Sequence, residues 1–225
     1  MPVGLEDSRD RALLDDLTEG EETGKNACPT VMSREAKAYY ERHLPHWQPR
    51  GKVLFITWRL AGSLPAAFWR ECTEKSAGKR FVAFDRTLDS GRTGPMWMKN
   101  AAVAKLVSDA LRYGETERGL YRMLAFVVMS NHVHLLIETV KPLEKITMLL
   151  KGYTARCANQ YLARTGQAFW QDESFDHWVR NSAELERIIH YIENNPVKAG
   201  LVNHAEDWPW SSAAKSKAET ILQVR

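Results

Sequence analysis

Two histidines separated by one residue, His132 and His134, stand in the stretch HVHLLIE, and Tyr191 and Asn195 stand four residues apart in NSAELERIIHYIENN. Imidazole nitrogens bind divalent cations, and residues two apart on an extended strand point to the same side. The histidine pair can therefore present two nitrogens to one metal, leaving room for a third ligand and a substrate oxygen. The plainer outcome is a pair of hydrogen-bonded histidines. Val133, Leu135 and Ile137 bear on that choice: they give the strand an apolar opposite face and so a central place in a sheet, where unpartnered imidazoles are costly. On a helix, residues four apart lie one turn apart on one flank, so the Tyr191 phenol and the Asn195 carboxamide can approach a common point. Taken alone, they are equally a tyrosine at the edge of a core and an asparagine closing a helix before Pro196.

Other residues compete for these roles. Tyr153 and Tyr161 have Cys157 and Thr165 at i+4, poorer ligands for a hard metal than an amide oxygen; their alternative is a place in the core or against nucleic acid. Arg187, one turn before Tyr191, can favour a phenolate or be a solvated helix charge. Glu138 shares the strand parity of the histidines, so it either supports them or ends the strand in solvent.

The elements that must position these groups follow from periodicity and punctuation. VLFITWRL (53–60) is rich in β-branched and aromatic residues and predicts a strand. YRMLAFVVM (121–129) and HVHLLIE (132–138) predict a hairpin about Ser130-Asn131. A helical stripe through Ala102, Val103, Leu106, Val107, Ala110 and Leu111 ends at Gly114, and a longer helix covers 142–166. Leu185, Ile188, Ile189 and Ile192 form an i, i+3, i+4, i+7 stripe on a helix over 181–195, capped by Asn181 or Ser182 and stopped by Pro196. SREAKAYYERHL (33–44) predicts a short helix, followed by a basic, aromatic arm. In 61–96 a helical piece, LPAAFWRECTEK, precedes turn signals, and the stretch reads as an insertion. The order strand, helix, hairpin, helix, strand, helix implies an α+β, ferredoxin-like antiparallel sheet with helices on one face.

Composition bounds the function. The 225 residues are 44% hydrophobic and 26% charged, enough for a real core, and no apolar run reaches the length of a membrane span. The opening MPVGLEDSRD has no basic-then-apolar leader, and Cys28, Cys72 and Cys157 form no C-x-x-C pair. Both features fit a reducing cytoplasm. The net charge of +3 divides unevenly: residues 1–30 hold eight acids against three bases, −5, which leaves +8 on 31–225 with all eight tryptophans. The leader is expected to be disordered, and the basic, aromatic body suits a nucleic-acid partner. The expected organisation is thus the leader (1–30), helix and arm (31–50), a catalytic domain (51–215) and a tail (216–225).

MSNHVHLLIE (129–138) resembles the metal-binding strand of the HUH single-strand DNA endonucleases, and YIENNPVKAGLV (191–202) resembles the tyrosine helix of the IS200/IS605-like Y1 transposases. Within that clan RHLPHWQPRGK and ITWRLAGSLP are similar to the REP-associated tyrosine transposases, as are FWQDESFDHWVR and DWPWSS. The resemblance covers roughly 40–212, leaving out the acidic leader and parts of 61–96.

That resemblance implies an HUH endonuclease fold, with Tyr191 as nucleophile and His132, His134 and Asn195 holding Mg²⁺ or Mn²⁺. It implies cleavage of single-stranded DNA at hairpins of repetitive extragenic palindromes, through a 5′-phosphotyrosine, by a monomer or homodimer. Arg50, Lys52, Arg59, Lys151 and Arg156 are the candidates for phosphate contacts and Trp47 for stacking on unpaired bases. Trp208 and Trp210 are expected to pack the end of the chain against the core. Two rivals are a catalytically silent hairpin DNA- or RNA-binding protein on the same fold, and a metal-dependent hydrolase with water as nucleophile.

Overall fold

The computed structural model describes the backbone of 39–41 and 45–47, and residues 52–72 and 76–214. Strands β1 (Tyr39–Glu41) and β2 (Pro45–Trp47) form a small antiparallel pair. The helix expected over 33–44 is thus a strand at its tyrosine pair, where bulky aromatic side chains favour extended backbone; the rest of that segment, Arg50, the leader 1–30 and the tail 216–225 lie outside the described residues.

The body carries β3 (Val53–Arg59), α1 (Phe68–Glu71), α2 (Ala77–Asp89), α3 (Ala101–Thr116), β4 (Tyr121–Val128), β5 (His132–Thr139), α4 (Leu143–Tyr161), β6 (Phe175–Trp178) and α5 (Ser182–Lys198). Its sheet runs β4-β5-β3-β6 with every neighbouring pair antiparallel. Strand–helix–strand–strand–helix–strand in that spatial order is the ferredoxin-like α+β plan.

Register sets which side chains share a face. Thr57 lies opposite His134, Arg59 opposite His132, and Val127 opposite His134 on the other side. One face presents Leu54, Ile56, Trp58, Val133, Leu135 and Ile137, packed with Val103, Val107, Leu111, Ile146 and Leu150 of α3 and α4. The two crossover helices therefore share one face, as the strand–helix order implied. The other face presents Phe55, Ala125, Val127 and Leu136, and α2 and α5 cover it through Phe81, Phe84, Leu88, Ile188 and Ile192. Burial on both sides is why β3 reads as a nearly unbroken apolar run rather than an alternating one.

Three local expectations change. In 61–96, Ser76 caps α2 by accepting from the Lys79 N–H, and the turn signals begin only at Ser90-Gly91. Gly114 does not end α3: it lies inside the helix because the Tyr121 hydroxyl, which donates to Leu111 O at 2.6 Å, passes where a Cβ would sit. Pro196 does not stop α5 either, and the helix runs on to Lys198 before Gly200 turns at φ 69°. Asn181 caps its start by accepting from the Glu184 N–H. The closing tryptophans pack as expected, Trp208 donating to Val128 O and Trp210 O accepting from the Val128 N–H.

Candidate active site

His132 and His134 are fully buried on the β5 face that α2 and α5 cover. Their protonation is legible from their partners. The Asn131 amide donates through Nδ2 to Leu88 O at 3.0 Å, which turns its Oδ1 toward His132 Nδ1 at 2.7 Å. A carbonyl oxygen only accepts, so Nδ1 of His132 carries the proton and Nε2 is left with a bare lone pair. His134 Nδ1 lies 2.7 Å from the Thr57 hydroxyl, which can donate to it or accept from it. The two Nε2 atoms then face each other at 3.1 Å. Burial, with His134 alongside, pushes the His132 pKa down to about 3, so its ring is neutral, as metal ligation requires.

Two residues from α5 complete the site within the same chain. Tyr191 is 7% exposed, its ring centroid 5.6 Å from that of His134 and edge-on to Phe55 at 6.2 Å. Asn195 is fully buried one turn later, with Nδ2 3.3 Å from His134 Nε2 and, among the described residues, no hydrogen-bond partner for Oδ1. Helical continuity through Pro196 keeps this asparagine on the tyrosine's flank of α5.

The fifth residue is Asp85 of α2, which the sequence reading did not single out. It is 2% exposed, accepts the Tyr191 hydroxyl proton on Oδ2 and places Oδ1 3.1 Å from His134 Nε2 and 3.9 Å from His132 Nε2. Asp89, one turn later, comes within 3.7 Å of His132 Nε2. Burial alone would raise the Asp85 pKa, but His134, His132 and Lys198 together hold it below the usual carboxylate range. The local signal for Asp85 was present: Phe81, Phe84 and Leu88 make an apolar helical stripe that contains this acid.

The donor set fits a divalent cation. Two nitrogens about 2.1 Å from one ion, at octahedral to tetrahedral angles, stand about 3.0–3.4 Å apart, and the observed 3.1 Å lies in that range. Rotating the Asn195 amide exchanges its nearly isosteric oxygen and nitrogen, bringing the unpartnered Oδ1 to the His134 side. Among the described residues, Asp85, His132 and His134 are the one group of three His, Cys, Asp or Glu side chains with ligand atoms close enough to share an ion. A cleft of about 190 Å³ opens beside His132, lined by Asp89, Met96, Lys99, Ser130 and Asn131 among others.

The remaining candidates separate by position. Tyr153 and Tyr161 are 51% and 58% exposed on α4, which packs on the opposite face of the sheet. Glu138 pairs with Arg122 at 2.7 Å near the surface, so its role is the strand-end one. Lys151 donates to the carbonyls of Gln171 and Asp172, and burial pushes its pKa down to about 8. Arg59 is buried, reaching Ser63 Oγ at 3.4 Å, and burial lowers its pKa to about 10. Lys52 is exposed, 5.7 Å over the Trp178 ring, and exposed Arg156 lies 5.9 Å over that of Tyr153. Trp47 is placed in β2 by its backbone.

Comparison with known proteins agrees with the motifs. Residues 100–195 match the family described as "Transposase IS200 like". A REP-associated tyrosine transposase of Escherichia coli is 24% identical over 108 residues, 46% of this chain and 61% of that protein. A Haemophilus influenzae protein provisionally given the same description is 24% identical over 103 residues, 41% of this chain and 58% of that one. The matched stretch thus spans about 60% of the length of these curated relatives. A solved REP-associated tyrosine transposase bound to a REP hairpin superposes with a TM-score of 0.52 at 18% identity, covering 80% of this chain and 84% of that one, which establishes the shared fold. The resemblance read from the motifs is therefore shown, while α2 and Asp85 lie before the stretch that matches the family.

Proposed function

We propose that the protein cleaves and rejoins single-stranded DNA beside a hairpin, with Tyr191 as nucleophile. The observation that carries this reading is the juxtaposition of a buried tyrosine hydroxyl, two buried imidazoles and a buried carboxamide in one chain. His132, His134 and Asn195 would hold Mg²⁺ or Mn²⁺, which when bound polarises a scissile phosphate. The Tyr191 oxygen attacks phosphorus, a P–O bond to tyrosine forms and the P–O3′ bond breaks. The phenol proton is balanced by the one the departing 3′ oxygen takes up. The 5′-phosphotyrosine conserves the ester, so another 3′ hydroxyl can reverse the step without ATP. The Tyr191 hydroxyl donates to the Asp85 carboxylate, and Lys198 lies 5.0 Å over the ring.

The comparison with a protein solved on a REP hairpin supports a palindromic hairpin as substrate. Exposed Lys52, Arg156 and Lys99, the last lining the cleft beside His132, are the candidates we propose for contacts with its phosphates. No helix among the described residues is long and apolar enough to cross a membrane, and we assign the activity to the cytoplasm, where DNA is accessible. The test is a labelled hairpin oligonucleotide with single-stranded flanks, incubated with Mn²⁺ and resolved under denaturing conditions. A covalent protein–DNA adduct is expected; binding without an adduct would make the protein a silent hairpin binder. Cleavage without an adduct that survives loss of Tyr191 would make water the nucleophile.

A further inference from the structure

We infer that Asp85 is a shared ligand, binding the metal through Oδ1 and positioning the Tyr191 hydroxyl through Oδ2. The inference rests on the proposed metal centre and adds to it a residue from α2, outside the stretch matched by the family.

The geometry assigns the two oxygens separately. Oδ1 stands 3.1 Å from His134 Nε2 and 3.9 Å from His132 Nε2, the side on which both imidazoles present nitrogen. Oδ1 lies against these nitrogens, while Oδ2 accepts from Tyr191. A carboxylate 2% exposed and surrounded by Phe81, Phe84 and Leu88 carries a large desolvation cost unless a positive charge sits beside it. Lys198 at the surface supplies that charge only at a distance. A divalent cation between Oδ1 and the Nε2 atoms supplies it directly. Hard cations also favour anionic oxygen over imidazole alone, so Asp85 gives the site its one negative ligand from the described triad.

The consequence is a mechanical link. The carboxylate is planar and rigid, so an ion on Oδ1 fixes where Oδ2 points, and with it the phenol. The ion and the nucleophile are held to one another through a single side chain on a helix that also packs against α5. Asp85 is thus a ligand for the ion and a positioning residue for Tyr191.

Calorimetric titration of Mn²⁺ into the full chain tests the ligand role, with unliganded thermal melts reporting the fold. Asp85→Asn should weaken Mn²⁺ at least tenfold, while Tyr153→Phe, exposed on the opposite face of the sheet, should stay within about twofold of wild type. Unchanged affinity in a folded Asp85→Asn protein overturns the inference. A crystal of the unaltered protein grown with Mn²⁺ decides the case if that variant does not fold. An ion within about 2.2 Å of Oδ1 supports the inference; an ion on the histidines with Asp85 out of reach overturns it. Mn²⁺ bound through Asp85 with no strand cleavage would instead defeat the proposed function and leave this inference standing. A wild-type protein that binds no Mn²⁺ refutes both.

Discussion

Tyr191→Phe removes one oxygen and keeps the ring, so the contacts with Phe55, Phe81 and His134 persist. The lost hydroxyl is no ordinary surface donor: its acceptor is a buried carboxylate. Hydrogen bonds to charged groups contribute about 1.5–3 kcal/mol, roughly twice an ordinary one. For a body of this size, each kcal/mol moves the melting temperature by about 2–4 °C, so the metal-free variant should melt roughly 3–12 °C lower. Tyr153→Phe and Tyr161→Phe, more than half exposed on the opposite face, should each stay within about 0.5 kcal/mol of wild type. In the hairpin assay, Tyr191→Phe should bind DNA and form no adduct, while the two controls should cleave normally. A melting temperature unchanged by Tyr191→Phe would refute the Asp85 hydrogen bond. An adduct that survives Tyr191→Phe and disappears in Tyr153→Phe would refute the placement of the nucleophile.

Replacing both His132 and His134 with alanine should abolish Mn²⁺ binding and the accompanying stabilisation, which for wild type is about 2.7 kcal/mol when free ion is one hundred times its Kd; thermal melts with and without Mn²⁺ measure it. Gly114→Ala should destabilise despite the better helix propensity of alanine, by roughly 1–3 kcal/mol, because its Cβ meets the Tyr121 hydroxyl at 2.6 Å and Leu150 at 3.3 Å; urea unfolding should show a smaller penalty when Tyr121→Phe is added. Glu184 is buried, which by itself raises its pKa, but bonds from His177 and the Arg180 N–H hold it below the ordinary value. A depressed carboxylate stabilises above its unfolded pKa of about 4.3 and loses that contribution as pH falls through the lower folded value. The stability gap between wild type and Glu184→Gln should therefore be full at pH 7 and shrink on acidification below about pH 4, as measured by denaturant melts across pH.

The histidine strand and the tyrosine helix were legible because each is a local pattern. Strand parity alone puts His132 and His134 on one side, and helical pitch alone puts Asn195 a turn beyond Tyr191. Glu138 shows the limit of parity: it has the right one, yet the strand's end carries it to Arg122 and solvent. Pro196 shows another limit, since the helix runs past it and its end is closed by Ala199 bonding to Asn195 O and Leu201 to Pro196 O.

Sequence by itself determined the order of the sheet strands and of the three helices after residue 100, the buried apolar runs and four residues able to act together, since these depend on neighbours within a turn or a strand. Tertiary structure alone decided that a second helix pair closes the histidine face, and that Asp85, 106 residues from Tyr191 in sequence, meets its hydroxyl there. The physical reason is that an acid on an apolar stripe has no meaning in its own helix. Its charge is tolerated or useful only through what the opposite face of the packing brings against it, and that contact is fixed by the sheet between them.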